Sequence, residues 1–161
     1  MHTISMFVEN HSGTLSHIIG LFSSRGYNIS SLTVAETEDP TISRMTIVVS
    51  GERHIIEQVI KQLNRLIDVI KVRNFENIPI IDRELALIVV SAKKNNRHEI
   101  FSLLDIYNGK VIEVTHTSIT LEICGSTTTL NKFISIIRPY GIKELVRTGK
   151  IAIAQLENND I

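Results

Sequence analysis

Glu9-Asn10-His11-Ser12-Gly13-Thr14-Leu15-Ser16-His17-Ile18-Ile19-Gly20-Leu21-Phe22 joins a strand pattern to a helix pattern through a polar loop. Met6 and Val8 alternate just before it. Leu15, Ile18, Ile19 and Phe22 then fall at i, i+3, i+4 and i+7, the spacing of one buried helical face. Ser12 is placed to cap that helix, and Gly13 beside its start lets backbone N–H groups come close to an anion. The loop therefore reads as a small-ligand site, with an ordinary strand-to-helix turn as the alternative that it leaves open.

Working outward, the same order of elements, β-α-β-β-α-β, occurs twice. In the first copy, strands over residues 3–9 and 28–36 flank the Gly13 helix. A strand over 44–50 leads into a helix carrying Ile56, Val59, Ile60 and Leu63, and residues 68–75 supply the last strand. Residues 76–82 read as a linker or the end of a crossing strand, because Pro79 lacks an N–H and restrains the residue before it. The second copy has strands over 84–92, 111–116, 118–124 and 143–154. Its helices cover 97–107 and the stretch carrying Leu130, Phe133, Ile134 and Ile137, which Pro139 and Gly141 close. Gly26, Gly109 and Gly141 each follow a helical stretch, where a left-handed residue is often required.

The fold class that follows is α+β: two tandem ferredoxin-like βαββαβ sandwiches, the first over residues 1–77 and the second over 78–161. Units this small bury limited cores and leave sheet edges or faces to cover, so dimerisation is the expected remedy.

Composition narrows the function classes. The 161 residues are 43% hydrophobic, and 17 basic side chains balance 17 acidic ones, so net charge carries no signature of nucleic acid or a membrane surface. Aromatics make up only 5%, and no strand carries the basic and aromatic pattern that stacks RNA bases. The one cysteine, Cys124, forms no internal disulfide and is expected as a small packing residue, which suits a reducing cytoplasm. No basic head with a long apolar segment opens the chain, so neither export nor a membrane anchor is expected. The six histidines are scattered without zinc-site spacing, and His11-Ser12 and Ser16-His17 lack a nucleophile elbow. Neither a metal centre nor a catalytic residue is expected.

Residues 9–51 carry a more specific signal. Glu9-Asn10, Ser12-Gly13, Leu15-Ser16 and Ile19-Gly20-Leu21-Phe22 are followed in one register by Gly26-Tyr27-Asn28-Ile29, Ser31-Leu32-Thr33-Val34-Ala35 and Asp39-Pro40-Thr41-Ile42-Ser43-Arg44-Met45-Thr46-Ile47. This run resembles the opening ACT domain of the regulatory, or small, subunit of acetohydroxyacid synthase, also called acetolactate synthase. Weaker similarity continues across the rest of the chain.

The resemblance implies a non-catalytic subunit that activates a large catalytic partner and confers feedback inhibition by valine on branched-chain amino-acid synthesis. It implies no cofactor in this chain; thiamine diphosphate, a divalent metal and FAD are expected in the large subunit. It also implies side-by-side dimers with effector sites at the interface, the first domain binding effector and the second passing on its signal. A free-standing ACT-type sensor acting on another enzyme is the alternative.

For the ligand, N–H groups near Gly13, Thr14 and Leu15 are candidates to receive the carboxylate at the helix start. Asn10 would contact its polar groups, and Ile29, Val34 and Ala35 are candidates for an apolar pocket. Asn28 would reach in from a neighbouring subunit. Positions matching Asn10, Gly13, Ser16, Asn28 and Ala35 belong to the family's valine-binding region. Taken without the family, Asn28 also suits a turn, Ser16 a helix surface and Ala35 a core. His11 and Thr14 stand where relatives often carry other residues.

Overall fold

A computed structural model describes residues 1–156, apart from the side chain of Lys94. The chain divides into two compact units: residues 1–81 together with the described residues from Lys150 onward, and Asp82–Gly149.

In the first unit, β1 (His2–Glu9), α1 (Thr14–Ser23), β2 (Ile29–Glu36), β3 (Ile42–Val49), α2 (Arg53–Leu63) and β4 (Val69–Asn74) follow one another, and the sheet runs β2-β3-β1-β4. All neighbours are antiparallel, with Ile4 opposite Ile47 and Met6 opposite Met45. Residues paired across an antiparallel ladder share a face, so Ile4, Met6, Val8, Met45, Ile47 and Val49 make one apolar layer. Ile18, Phe22, Ile56, Val59 and Leu63 of the two helices complete the core over it.

The buried stripe of α1 is Thr14, Ile18 and Phe22, one residue round from the stripe expected from Leu15. Leu15 is exposed and Ile19 half-buried. The i, i+4, i+8 row wins because Phe22 and Ile18 fix the helix rotation, and the small Thr14 then fits beneath its first turn.

In the second unit the order repeats. β5 (Ile80–Ser91), α3 (Arg97–Ile106), β6 (Lys110–Val114), β7 (Ser118–Gly125), α4 (Thr127–Ile137) and β8 (Ile142–Arg147) give a sheet β6-β7-β5-β8. Ala86, Ile88, Val90, Ile119, Leu121 and Ile123 meet Ile100, Leu104, Leu130, Phe133, Ile134 and Ile137. Ser126 caps α4 by accepting from the Thr129 N–H at 3.1 Å. The α+β class with two βαββαβ sheets is the one read from the sequence.

Three local expectations change. The last stretch is two strands: the chain breaks after β8, and β9 (Ile151–Ala154) pairs with β5. β9 belongs with the first unit, where Ala152 accepts from Arg44 Nη2 at 2.9 Å, the Lys150 N–H donates to Ser31 Oγ at 2.9 Å, and the Gln155 N–H donates to Pro79 at 2.8 Å. Cys124 is exposed, on the face of β7 opposite the buried Leu121 and Ile123 layer.

Gly109 is not left-handed; Asn108 takes that conformation at φ 53°. Gly109 is required instead by close approach. A Cβ there would stand 2.2 Å from Leu104 Cδ1 and 3.0 Å from the Glu122 carbonyl oxygen. Gly109→Ala is therefore expected to destabilise the chain by about 1–3 kcal/mol through overpacking. An unchanged urea midpoint would show that Leu104 moves aside at no cost.

Candidate functional site

Gly13 is the N-cap of α1, with φ 97° and ψ −25°, and no side chain caps the helix. The cap expected from Ser12 is thus not formed. The chain needs a residue free of Cβ strain to turn sharply from the loop into the helix, and glycine supplies it. The His17 N–H donates to the Gly13 carbonyl at 3.0 Å, closing the first helical turn. Within that turn the N–H groups of Leu15 and Ser16 have no carbonyl of the helix to bond. They stand where the macrodipole favours negative charge.

Around this helix start, Leu15 and Ser16 are exposed, and Thr14 is buried beneath them. Asn10 is held on both sides: its Nδ2 donates to the Pro40 carbonyl at 2.8 Å and to Glu36 Oε1 at 3.1 Å. That ties the loop to the far end of β2, where Val34 and Ala35 lie. Val34 pairs with Met45 and Ala35 with Arg44, so the two point to opposite faces of the sheet. They do not line one pocket wall within a single chain. Ile29 lies opposite Val49 at the other end of the strand and packs on the core, while Asn28 is exposed just before it. Ala35 lies seven positions along the strand from Asn28, roughly 20 Å at about 3.3 Å per residue. A single chain therefore ties Asn10 to the end of β2 through Glu36, sets Val34 on the helix-covered face with Met45 and Ala35 on the opposite face with Arg44, and leaves Asn28 and Ile29 at the other end of the strand.

The sequence reading missed Asp68, which is buried just before β4 and faces two histidines of the loop and helix. His17 Nδ1 lies 3.0 Å from Asp68 Oδ2, and His11 Nε2 lies 3.3 Å from Asp68 Oδ1 and 3.3 Å from Glu9 Oε2. The hydrogen bond with His17 holds the Asp68 carboxyl below its ordinary pKa, and the charge of His11 acts the same way. His11 is raised, first by its bond to the Ser12 carbonyl and then by the negative charge of Asp68 and Glu9. An acid inside an apolar run, Ile67-Asp68-Val69-Ile70, was the available signal, but nothing local names its partners 51 and 57 positions away. The His11-Ser12 adjacency proves to be a ring-to-carbonyl contact at 3.1 Å, and does not engage the serine hydroxyl.

A separate cleft of about 610 Å³ lies on the opposite face of the first sheet, where Ser5, Phe7, Arg44, Lys71 and Arg73 meet residues 153–156. The Arg44 guanidinium stacks over the Phe7 ring at 5.2 Å there. The Gly13 loop does not border it.

Two family profiles match the chain: an acetohydroxyacid synthase small subunit-like ACT domain over residues 4–71, and the small subunit of acetolactate synthase over 83–156. A probable acetolactate synthase small subunit of Archaeoglobus fulgidus is 47% identical over 154 residues, covering 96% of each chain. The acetolactate synthase small subunit of Haemophilus influenzae is 43% identical over 157 residues, covering 97% of this chain and 96% of that one. Among solved structures, the acetolactate synthase small subunit of Thermotoga maritima superposes with a TM-score of 0.89 at 37% identity, over 97% of this chain and 98% of that one.

Proposed function

The chain belongs to the acetolactate synthase small-subunit family, a regulatory and non-catalytic component, and from that premise we propose that it binds valine at the Gly13 loop and passes the signal to the large catalytic subunit. The observation that carries this reading is the left-handed Gly13 at the start of α1, beside an Asn10 side chain already held in place. The effector carboxylate would meet the N–H groups of the first turn, and its ammonium would meet Asn10 through its amide oxygen.

A homodimer completes the site. β2 forms one edge of its sheet, and an edge strand is a template for a second strand. Antiparallel pairing of β2 with the β2 of a second copy sets the Asn28–Ile29 end of one strand beside the Val34–Ala35 end of the other. That arrangement removes the separation that keeps Asn28 away from the loop within one chain. The first unit would then bind effector and dimerise, while the second transmits regulation. Thiamine diphosphate, a divalent metal and FAD would reside in the large subunit, and the assembly would work in the cytoplasm. Valine must prefer one arrangement of the dimer over another, since a ligand binding both equally shifts nothing.

Calorimetry on the chain is expected to show saturable valine binding and much weaker binding of phenylalanine, and reconstitution with the cognate large subunit to show activation that valine reverses. Tight phenylalanine binding with no valine heat would reject the effector. Activation insensitive to valine would reject the feedback role.

A further inference from the structure

Glu9, His11 and Asp68 place one donor atom each within 4.8 Å of one another, beside the Gly13 loop. The meeting is built into the backbone: the Glu9 N–H donates to the Asp68 carbonyl at 2.9 Å, which seats residue 68 against the end of β1. His11 Nε2 stands 3.3 Å from a carboxylate oxygen of each acid. Its other ring nitrogen, Nδ1, lies 3.1 Å from the Ser12 carbonyl. A carbonyl only accepts, so that bond requires the hydrogen on Nδ1. A neutral ring in this tautomer turns its Nε2 lone pair toward two negatively charged oxygens. Such an arrangement calls for a positive charge between them, supplied either by a proton on Nε2 or by a cation.

The spacing admits a metal. Ligand atoms about 2.0 Å from a tetrahedral zinc ion stand about 3.3 Å apart, matching the two separations at His11 Nε2. A metal-bound histidine also normally gives its second N–H to a carbonyl or carboxylate, which fixes the tautomer and the ring plane. His11 does this with Ser12. His17 Nδ1, 3.0 Å from the other Asp68 oxygen, orients the acid in the same manner. Asp68 is buried, so its carboxylate is held, while Glu9 and His11 are about half exposed and reachable from solvent.

We propose that Glu9 Oε2, His11 Nε2 and Asp68 Oδ1 bind a divalent transition-metal ion of the zinc class, with His17 as the residue that positions Asp68. An imidazole nitrogen among the donors disfavours magnesium or calcium, which take oxygen ligands. Three protein donors leave a position for water, as in open zinc sites. The sequence pointed to no metal centre because spacing rules look only at near neighbours, and Asp68 is brought in by the fold. The bound ion would pin the loop that precedes Gly13 to the segment before β4. This proposal rests on the donor geometry and does not depend on the valine reading.

The test uses the full chain, stripped with a chelator and titrated with Zn2+ against a chromophoric competitor. One ion per chain is expected, together with a rise in melting temperature. His11→Gln is expected to weaken binding by well over tenfold, and His17→Gln by about tenfold, the usual range for an outer partner. His98→Gln, in the other unit, is expected to bind as the parent does. Circular dichroism first establishes that each variant folds; the half-exposed His11 keeps the test decisive if a change at buried Asp68 unfolds the chain. Absence of saturable stoichiometric binding, equal zinc affinity in the parent and His11→Gln, or displacement of zinc by equimolar Mg2+ would each overturn the assignment. Any of these results leaves valine calorimetry on the stripped chain unaffected, so the two readings fail separately.

Discussion

Replacing Gly13 by aspartate is expected to abolish valine inhibition of the reconstituted holoenzyme while sparing most of its activation. Gly13 has open space around the position a Cβ would take, so crowding is not the reason. Its φ of 97° costs an ordinary L-residue roughly 1–2 kcal/mol, though asparagine and aspartate tolerate the left-handed region better than most. The decisive element is charge. A carboxylate at the helix start would occupy the N–H groups proposed to receive the effector and repel its carboxylate. Gly13→Asn has nearly the same shape without the charge, and is expected to keep part of the response. The comparison is read as the valine concentration giving half inhibition, which should rise by more than about tenfold for aspartate, equivalent to about 1.4 kcal/mol. Aspartate and asparagine variants with equal sensitivity would point to backbone strain instead, and unchanged inhibition in both would remove Gly13 from the site.

The largest expected effect on stability lies in the second unit, at Arg147. Glu84 is buried, and its carboxylate receives the Arg147 guanidinium, with Nε at 3.0 Å and Nη2 on the same oxygen, while the Thr127 hydroxyl bonds the other. Arg147 Nη1 also donates to Asn131 Oδ1 at 3.0 Å, which anchors the fork to α4. Arg147→Met would leave Glu84 charged, buried and unpaired, a change that costs about 3–5 kcal/mol in such pairs. Because Arg147 is partly exposed, the lower end of that range applies. The double variant Glu84→Gln with Arg147→Met should recover much of the loss, since the penalty belongs to the stranded charge and not to the missing contact. Urea unfolding of the single and double variants checks this. A loss below about 1 kcal/mol in the single variant would show that water reaches Glu84.

Much of this fold is legible in the chain itself. The faces of α2 and α4 were readable because Ile56, Val59 and Leu63, and Leu130, Phe133, Ile134 and Ile137, are large apolar residues that dominate their helices. The apolar side of helix α1 is broad, taking in Leu15, Ile18, Ile19, Leu21 and Phe22, so periodicity alone left its rotation undecided by one residue. The final stretch read as one strand because Val146, Ile151 and Ile153 are strand formers, and the turn between them is only three residues long. The loop itself was legible as a helix start with a needed glycine. The role of Asp68 was not, because a carboxylate's partners are fixed by register and by the turn before β4, which no local pattern encodes. The opposite facing of Val34 and Ala35 follows from strand alternation, so neighbouring candidates on one strand serve two faces and not one pocket.

The return of β9 to the first unit separates genetic order from structural membership. A stop codon after Gly149 would spare α3, α4 and the strands β5 to β8. It would instead delete the carbonyl that Arg44 bonds and the N–H that Ser31 accepts, both partners of strands laid down near the start of translation. A truncation mapped to the 3′ end of the gene would thus reach the amino-terminal unit, through the partners that Arg44 and Ser31 lose.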